Sequence, residues 1–156
     1  MKLSKRGEYA LRALIDIALA QESGRELLRV NEIVEKEGIP SAFLEQIFVQ
    51  LREAGIIQSK RGRLGGYSLA KPADTISMGQ IVRMIDGPLA PIACVSQTQY
   101  QKCTCPDEEH CGLRMLMLDV RNSISNILDQ YTLAQVVAHT SQKLRNNNLP
   151  LPFELS

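Results

Sequence analysis

The sequence predicts a mainly α-helical fold with one small β-hairpin wing: a winged helix-turn-helix followed by a long C-terminal dimerisation helix. Three observations carry this. Two short apolar-periodic segments, 30–37 and 41–54, are joined by a turn containing Gly38. Two β-prone runs, Ile56–Lys60 and Tyr67–Ala70, flank the basic, glycine-rich stretch Arg61-Gly62-Arg63-Leu64-Gly65-Gly66. Beyond them, apolar residues from Leu113 to Tyr131 recur at three- and four-residue steps, the repeat of one helix face.

The first helix is expected over 5–20, where Tyr9, Leu11, Ala13, Leu14, Ile17 and Ala18 fall at helical spacing. Val30–Glu37 reads as the second, ended by Gly38, since glycine tolerates the left-handed conformation past a helix end. The third begins at Ser41, a candidate N-cap, and carries the stripe Phe43, Leu44, Ile47, Phe48, Leu51. The hairpin follows, closed by Lys71-Pro72 because proline cannot continue a ladder. Ser77–Ile85 forms a fourth helix, stopped by Asp86-Gly87-Pro88. A long helix over Gly112–Tyr131 and a short one over Thr132–His139 complete the set. These divide the chain into a DNA-binding unit (1–72), a connecting helix (73–88), a cysteine-rich cofactor loop (89–111), the dimerisation and C-terminal helices (112–140) and a flexible tail (141–156). A stripe as long as that over 113–131 suits helix-to-helix dimerisation; periodicity alone leaves packing on its own domain as an equal alternative.

Composition narrows the function classes. The chain has 156 residues, 44% hydrophobic but only 4% aromatic, without tryptophan, which favours a helix core built on Leu, Ile, Ala and Val. The apolar run near Ala13–Ala20 is broken by Asp16 and too short to cross a bilayer, so no membrane partner is expected. Glu8 interrupts the first apolar periodicity, so the N-terminus does not read as a signal peptide, and a cytoplasmic location is expected. Net charge is +1 but unevenly spread: residues 1–72 hold twelve Lys+Arg against nine Asp+Glu, and residues 73–156 hold six against eight. A basic half for DNA and a second half for sensing fit that asymmetry. No phosphate loop, paired acid–base constellation or Cys–His nucleophile is present, which argues against an enzyme; Gly65-Gly66 lacks the helix a phosphate loop requires.

In the expected recognition helix, Ser41, Ala42, Glu45, Gln46, Val49 and Arg52 face away from the apolar stripe. Ser41 and Gln46 can hydrogen-bond base edges and Glu45 can accept from cytosine N4, while Arg52 suits phosphate. Lys60, Arg61 and Arg63 beside three glycines put cations on a thin loop that can enter a minor groove or follow phosphates. The expected partner is double-stranded promoter DNA.

Cys94, Cys103, Cys105 and Cys111 fall within eighteen residues of the least periodic stretch. In a loop they do not read as small core hydrophobes. Their spacing lacks the paired knuckles of a zinc finger or ribbon. Irregularly spaced thiolates suit an iron–sulfur cluster; zinc and a thiol–disulfide switch stay open on spacing alone.

Several of these stretches resemble one family. Met1-Lys2-Leu3-Ser4-Lys5-Arg6-Gly7-Glu8-Tyr9-Ala10, Phe43-Leu44-Glu45-Gln46-Ile47-Phe48 with Leu51-Arg52, the wing Arg61-Gly62-x-x-Gly65-Gly66-Tyr67, and Thr132-Leu133-Ala134-x-Val136-Val137 are similar to the IscR/NsrR/RirA group of bacterial winged-helix regulators, over roughly residues 1–138. The resemblance implies a homodimer crossed by the long helix, binding palindromic promoter DNA. It also implies an iron–sulfur cluster on three loop cysteines, 2Fe–2S favoured over 4Fe–4S, sensing iron–sulfur status, redox state or nitric oxide. Cys105-x5-Cys111 has the family's spacing between second and third ligands, and Cys94 stands where the first is expected. The gap between Cys94 and Cys105 exceeds the family's usual one, and Cys103 is extra. Some members place a histidine three residues after the last cysteine; this chain has Arg114 there. In others an acidic residue near the N-terminus, reached from the partner subunit, completes the shell, and Glu8 matches that position. Cys103 and Glu8 rank equally as the fourth ligand, ahead of His110. The alternatives are a cluster-free member sensing through thiols or a partner enzyme, and a zinc-binding regulator.

Overall fold

The computed structural model describes residues 2–154. Its order is α1 (Lys5–Glu22), α2 (Val30–Glu37), α3 (Ser41–Glu53), β1 (Ile57–Lys60), β2 (Gly66–Leu69), α4 (Met78–Asp86), α5 (Gly112–Gln130) and α6 (Leu133–Asn146), with short 3-10 turns at Ala73–Thr75 and Ala93–Val95. This is the mainly helical fold with a two-stranded antiparallel hairpin that the sequence predicts.

α1 is the central post. It buries Ala10, Ala13, Leu14, Ile17 and Ala18, and its alanines let α3, α4 and α6 approach closely around it. The core is completed by Leu44, Ile47, Phe48 and Leu51 of α3, Ile33 of α2, Ile81 of α4, and Leu133 and Val137 of α6. Gly38 ends α2 at φ +66, with its N–H donating to the Val34 carbonyl, as expected. Ser41 is not the cap of α3. Pro40 takes that place, and its carbonyl accepts from the Phe43 and Leu44 amides at 3.1 Å each, so Ser41 is the first helical residue.

The hairpin pairs Ile57 with Leu69 through Lys60 with Gly66. Leu28 and Tyr67 exchange backbone hydrogen bonds at 2.9 and 2.8 Å, adding a bridge beside β2. Two glycines are required by close approach. A side chain at Gly65 would place its Cβ 2.1 Å from the Lys60 carbonyl oxygen, and one at Gly66 would come within 2.9 Å of the Leu28 carbonyl oxygen.

The tail departs from expectation. α6 does not stop at His139 but runs to Asn146, because Ser141 is buried and donates to Glu22 at 2.8 Å, a polar contact that apolar periodicity does not register. The expected flexible tail from 141 is therefore helical over its first turn and a half. The chain then turns at Asn148 (φ +55) and returns to α1. There the Pro152 carbonyl accepts from the Ser23 hydroxyl at 3.1 Å, and Phe153 packs against the core with the Lys36 ammonium 5.8 Å from its ring centre.

α5 buries none of its residues. Leu113, Met115, Leu116 and Ile127 are each more than half exposed. It is held by polar ties: Asp129 to Arg83 of α4 at 2.6 and 2.9 Å, and Arg121 to the Val95 carbonyl at 2.7 Å.

Candidate functional site

Two surfaces bear on function. On the first, α3 buries one side and leaves Ser41, Ala42, Glu45, Gln46, Val49 and Arg52 exposed, the set expected from the stripe. Lys60, Arg61 and Arg63 line the wing, also exposed. The loop's shape is fixed by the Gly65 amide donating to the Gly62 carbonyl at 3.0 Å and by Arg29, whose guanidinium donates to the Arg63 carbonyl at 2.5 Å. Nothing local in the sequence marks Arg29, a residue just before α2, as a wing support. Among the described residues, the side chains of Glu45, Gln46, Arg52, Lys60, Arg61 and Arg63 have no hydrogen-bond or ion-pair partner on their own chain. The cations are thus free to meet an anionic backbone. Leu64 stands at the wing tip, 82% exposed.

The second surface is the segment between α4 and α5. It is irregular but tied at several points. Gln101 donates to the Ala93 carbonyl at 3.2 Å, and the Tyr100 hydroxyl to Glu108 at 2.8 Å, raising the phenol's pKa chiefly through that hydrogen bond. Cys94, Cys103, Cys105 and Cys111 all border one cavity of about 260 Å³, together with Ile92, Leu113 and Arg114. Cys94, in a 3-10 turn, is only 6% exposed, which corrects the expectation that none of the four is buried like a core residue. Cys103 and Cys111 are half-buried and Cys105 is exposed.

The Cys105 amide donates to Cys103 Sγ at 3.3 Å. Cys111 is the N-cap of α5, its Sγ accepting from the Arg114 amide at 3.4 Å. Hydrogen bonding to Cys103, and negative charge on Cys103 and Cys111, push the Cys105 thiol up to about 11. A cation shared by these sulfurs reverses that effect, because metal binding stabilises thiolates. The Arg114 Nε is buried without a hydrogen bond, 3.5 Å from a Glu108 oxygen, and its side chain borders the same cavity.

The remaining candidates lie elsewhere. Glu8 pairs with Lys5 at 3.0 Å and Arg12 at 3.3 Å on α1, and the hydrogen bond from Lys5 above all holds its carboxyl below the usual range. His110 is exposed, 2.9 Å from Asp107, and does not border the cysteine cavity. Among the described residues no three His, Cys, Asp or Glu side chains stand ready-made around an ion. The thiols share a cavity without forming a closed cage, so the donor set fits a soft metal or cluster in kind, and ligation requires the loop to draw in.

A helix-turn-helix carrying a hairpin wing with free cations defines a winged-helix transcription regulator. Residues 3–139 match the family model Rrf2, described as an iron-dependent transcriptional regulator. The chain belongs to the Rrf2 family. It is 40% identical over 138 residues to an rrf2-like protein of Rhodobacter capsulatus named as an HTH-type regulator, covering 87% of this chain and 92% of that one. It is 36% identical over 137 residues to the HTH-type transcriptional regulator IscR of Erwinia tasmaniensis, covering 88% and 79%. Its fold is similar to that of CymR, the global cysteine regulator of Bacillus subtilis, at a TM-score of 0.74 and 28% identity, covering 89% and 98%. These relatives are transcription regulators, not enzymes. No helix among the described residues is long and apolar enough to cross a membrane.

Proposed function

We propose that the chain is a homodimeric regulator whose affinity for double-stranded promoter DNA is set by an iron–sulfur cluster held at the cysteine cavity. The observation that carries this is the convergence of all four cysteines on one cavity of about 260 Å³ in the segment joining α4 to α5. Cys94, Cys105 and Cys111 are the core ligands, with Cys103 or Glu8 of the partner subunit as the fourth. Bound there, the cluster supplies iron–thiolate bonds and reversible redox chemistry. The protein's part is to seat it: Cys111 is fixed as the cap of α5, Cys94 is anchored by burial, and Arg114 offers a cation beside an anionic group. Drawing Cys103 and Cys105 inward orders the segment between α4 and α5. That order sets the spacing of the two recognition helices across a dimer.

The exposed apolar face of α5 supports the dimer. Leu113, Leu116 and Ile127 in water on a helix without a buried residue are what a second copy would cover. Ser41, Ala42, Glu45 and Gln46 are assigned to base edges, and Arg52, Lys60, Arg61 and Arg63 to phosphates or the minor groove.

The test is anaerobic purification with visible absorption, iron and acid-labile sulfide measured together. Absorbance from sulfur-to-iron charge transfer, with iron and sulfide in matching amounts, is expected. A colourless protein that takes up neither iron nor sulfide on reconstitution contradicts the cluster. A second reading, thiol sensing or zinc binding without a cluster, is favoured by the fold's likeness to CymR, a cysteine regulator. Zinc analysis and thiol titration separate the two.

A further inference from the structure

The recognition helix α3 meets α4 across a thin contact, since α4 packs mainly on α1 and α5. One side chain crosses it. Gln50, half-buried, donates from Nε2 to the Met84 carbonyl at 3.0 Å, and its Oε1 accepts from the Arg6 guanidinium of α1 at 3.0 Å. Among the described residues this is the one side-chain hydrogen bond joining α3 to α4.

The reason lies in the sequence beyond α4. The carbonyl of a helical residue accepts from the amide four positions on, which for Met84 is residue 88. That residue is Pro88, which has no N–H. The last turn of α4 therefore leaves an acceptor open, and the Gln50 amide fills it. Two positions on, Asp86 accepts from the Ser4 amide at 2.9 Å and from the Ser4 hydroxyl. A Cβ at Gly7 would lie 2.6 Å from the same carboxylate. The end of α4 is thus fastened to α1 by Asp86 and to α3 by Gln50, with Arg6 closing the triangle.

The cysteine segment starts from this turn. Gly87-Pro88 leads directly into it, and it returns at Cys111, the cap of α5, while α5 is tied back to α4 through Asp129 and Arg83. A pull on the segment acts on the last turn of α4, and Gln50 is the polar tie by which that turn reaches the recognition helix. We infer that Gln50 is a positioning residue, coupling the state of the cysteine segment to the set of α3. This rests on the reading that the segment changes state, and the test does not depend on which chemistry changes it.

The test is amide hydrogen exchange over the end of α3, residues 49–54, in the full chain. The segment is perturbed in two independent ways: anaerobic loading with iron and sulfide, and alkylation of its thiols with iodoacetamide. Wild-type protein, Gln50→Met (equal bulk, no amide) and Gln50→Glu (acceptor for Arg6 kept, donor to Met84 lost) are compared. In wild type, perturbing the segment changes exchange over 49–54 by about fivefold or more, the lower end of ordinary coupling between sites. Both variants should abolish most of that change while still unfolding in one cooperative transition and keeping wild-type thiol reactivity and iron and sulfide content. The inference is overturned if either variant keeps the full wild-type change, or if neither perturbation moves α3 in wild type. If loading yields no iron or sulfide but alkylation still moves α3 through Gln50, the cluster reading fails and the coupling stands.

Discussion

Lys36 of α2 donates to the buried carboxylate of Asp16 on α1 at 2.6 Å, while the second Asp16 oxygen has no partner. Asp16 is 1% exposed. Burial pushes its acid up to about 7 against Lys36, which acts to lower it. Lys36 also pairs with Glu37 at 2.5 Å, and Glu37 with Arg12 at 2.7 Å, so this charge network pins α2 to α1.

Between the ordinary value of 3.8 and about 7, the folded chain holds a proton that the unfolded chain has lost. The contribution of Asp16 to stability therefore falls as pH rises through that window. Thermal midpoints of wild type and Asp16→Asn across pH 5 to 8 should diverge, with wild type losing stability relative to the variant. Parallel curves would show that Asp16 is already ionised at pH 5. Lys36→Met should cost about 2 kcal/mol in urea unfolding near neutral pH, less than a fully buried broken pair, because Lys36 is partly exposed.

Gly79 faces Asp129, and a Cβ there would lie 2.1 Å from a carboxylate oxygen. Gly79→Ala should displace Asp129 from its paired hydrogen bonds with Arg83 and destabilise by about 1–3 kcal/mol through overpacking. Urea unfolding measures the loss, and Asp129→Ala in the same background should remove most of the added penalty.

The apolar face of α5 yields a prediction of assembly. Leu116→Glu places a charge on a face whose burial needs a second copy, so sedimentation should give a dimer for wild type and a monomer for the variant. A wild-type chain that sediments as a monomer at high concentration would contradict the dimer.

On the DNA face, Arg61→Ala and Arg63→Ala should weaken binding to all sequences. Each should reduce the slope of log affinity against log salt by about 1, as expected for one lost phosphate contact. Glu45→Ala should leave that slope unchanged and relax base preference at one position instead, read from binding to a randomised duplex pool.

Much of the architecture was legible because it is local. The Gly38 stop, the Phe43–Leu51 stripe and the basic Gly-rich wing each announce themselves within a few residues; the structure has the stop and the stripe as read, and the wing with its strands at Ile57–Lys60 and Gly66–Leu69 rather than Ile56–Lys60 and Tyr67–Ala70. The cap of α3 lies one residue before the expected Ser41, because the Pro40 carbonyl takes the first helical amides. The end of α6 was missed because it depends on a buried serine meeting a glutamate 119 positions away. At the cysteine segment the residue types were legible, while the burial of Cys94 and the shared cavity are tertiary facts. Arg29 under the wing and Gln50 under α4 are invisible to periodicity for the same reason. Both are polar residues whose partners are carbonyls distant in sequence.

If the cysteine cavity governs DNA binding, a single titration reads it. A duplex selected from a random pool by the protein itself is titrated anaerobically with the chain before and after loading with iron and sulfide, for wild type and for Cys105→Ser. Loading should change wild-type affinity by about fivefold or more and leave Cys105→Ser unmoved. Equal wild-type affinity in the loaded and unloaded states, with iron and sulfide demonstrably bound, would contradict it.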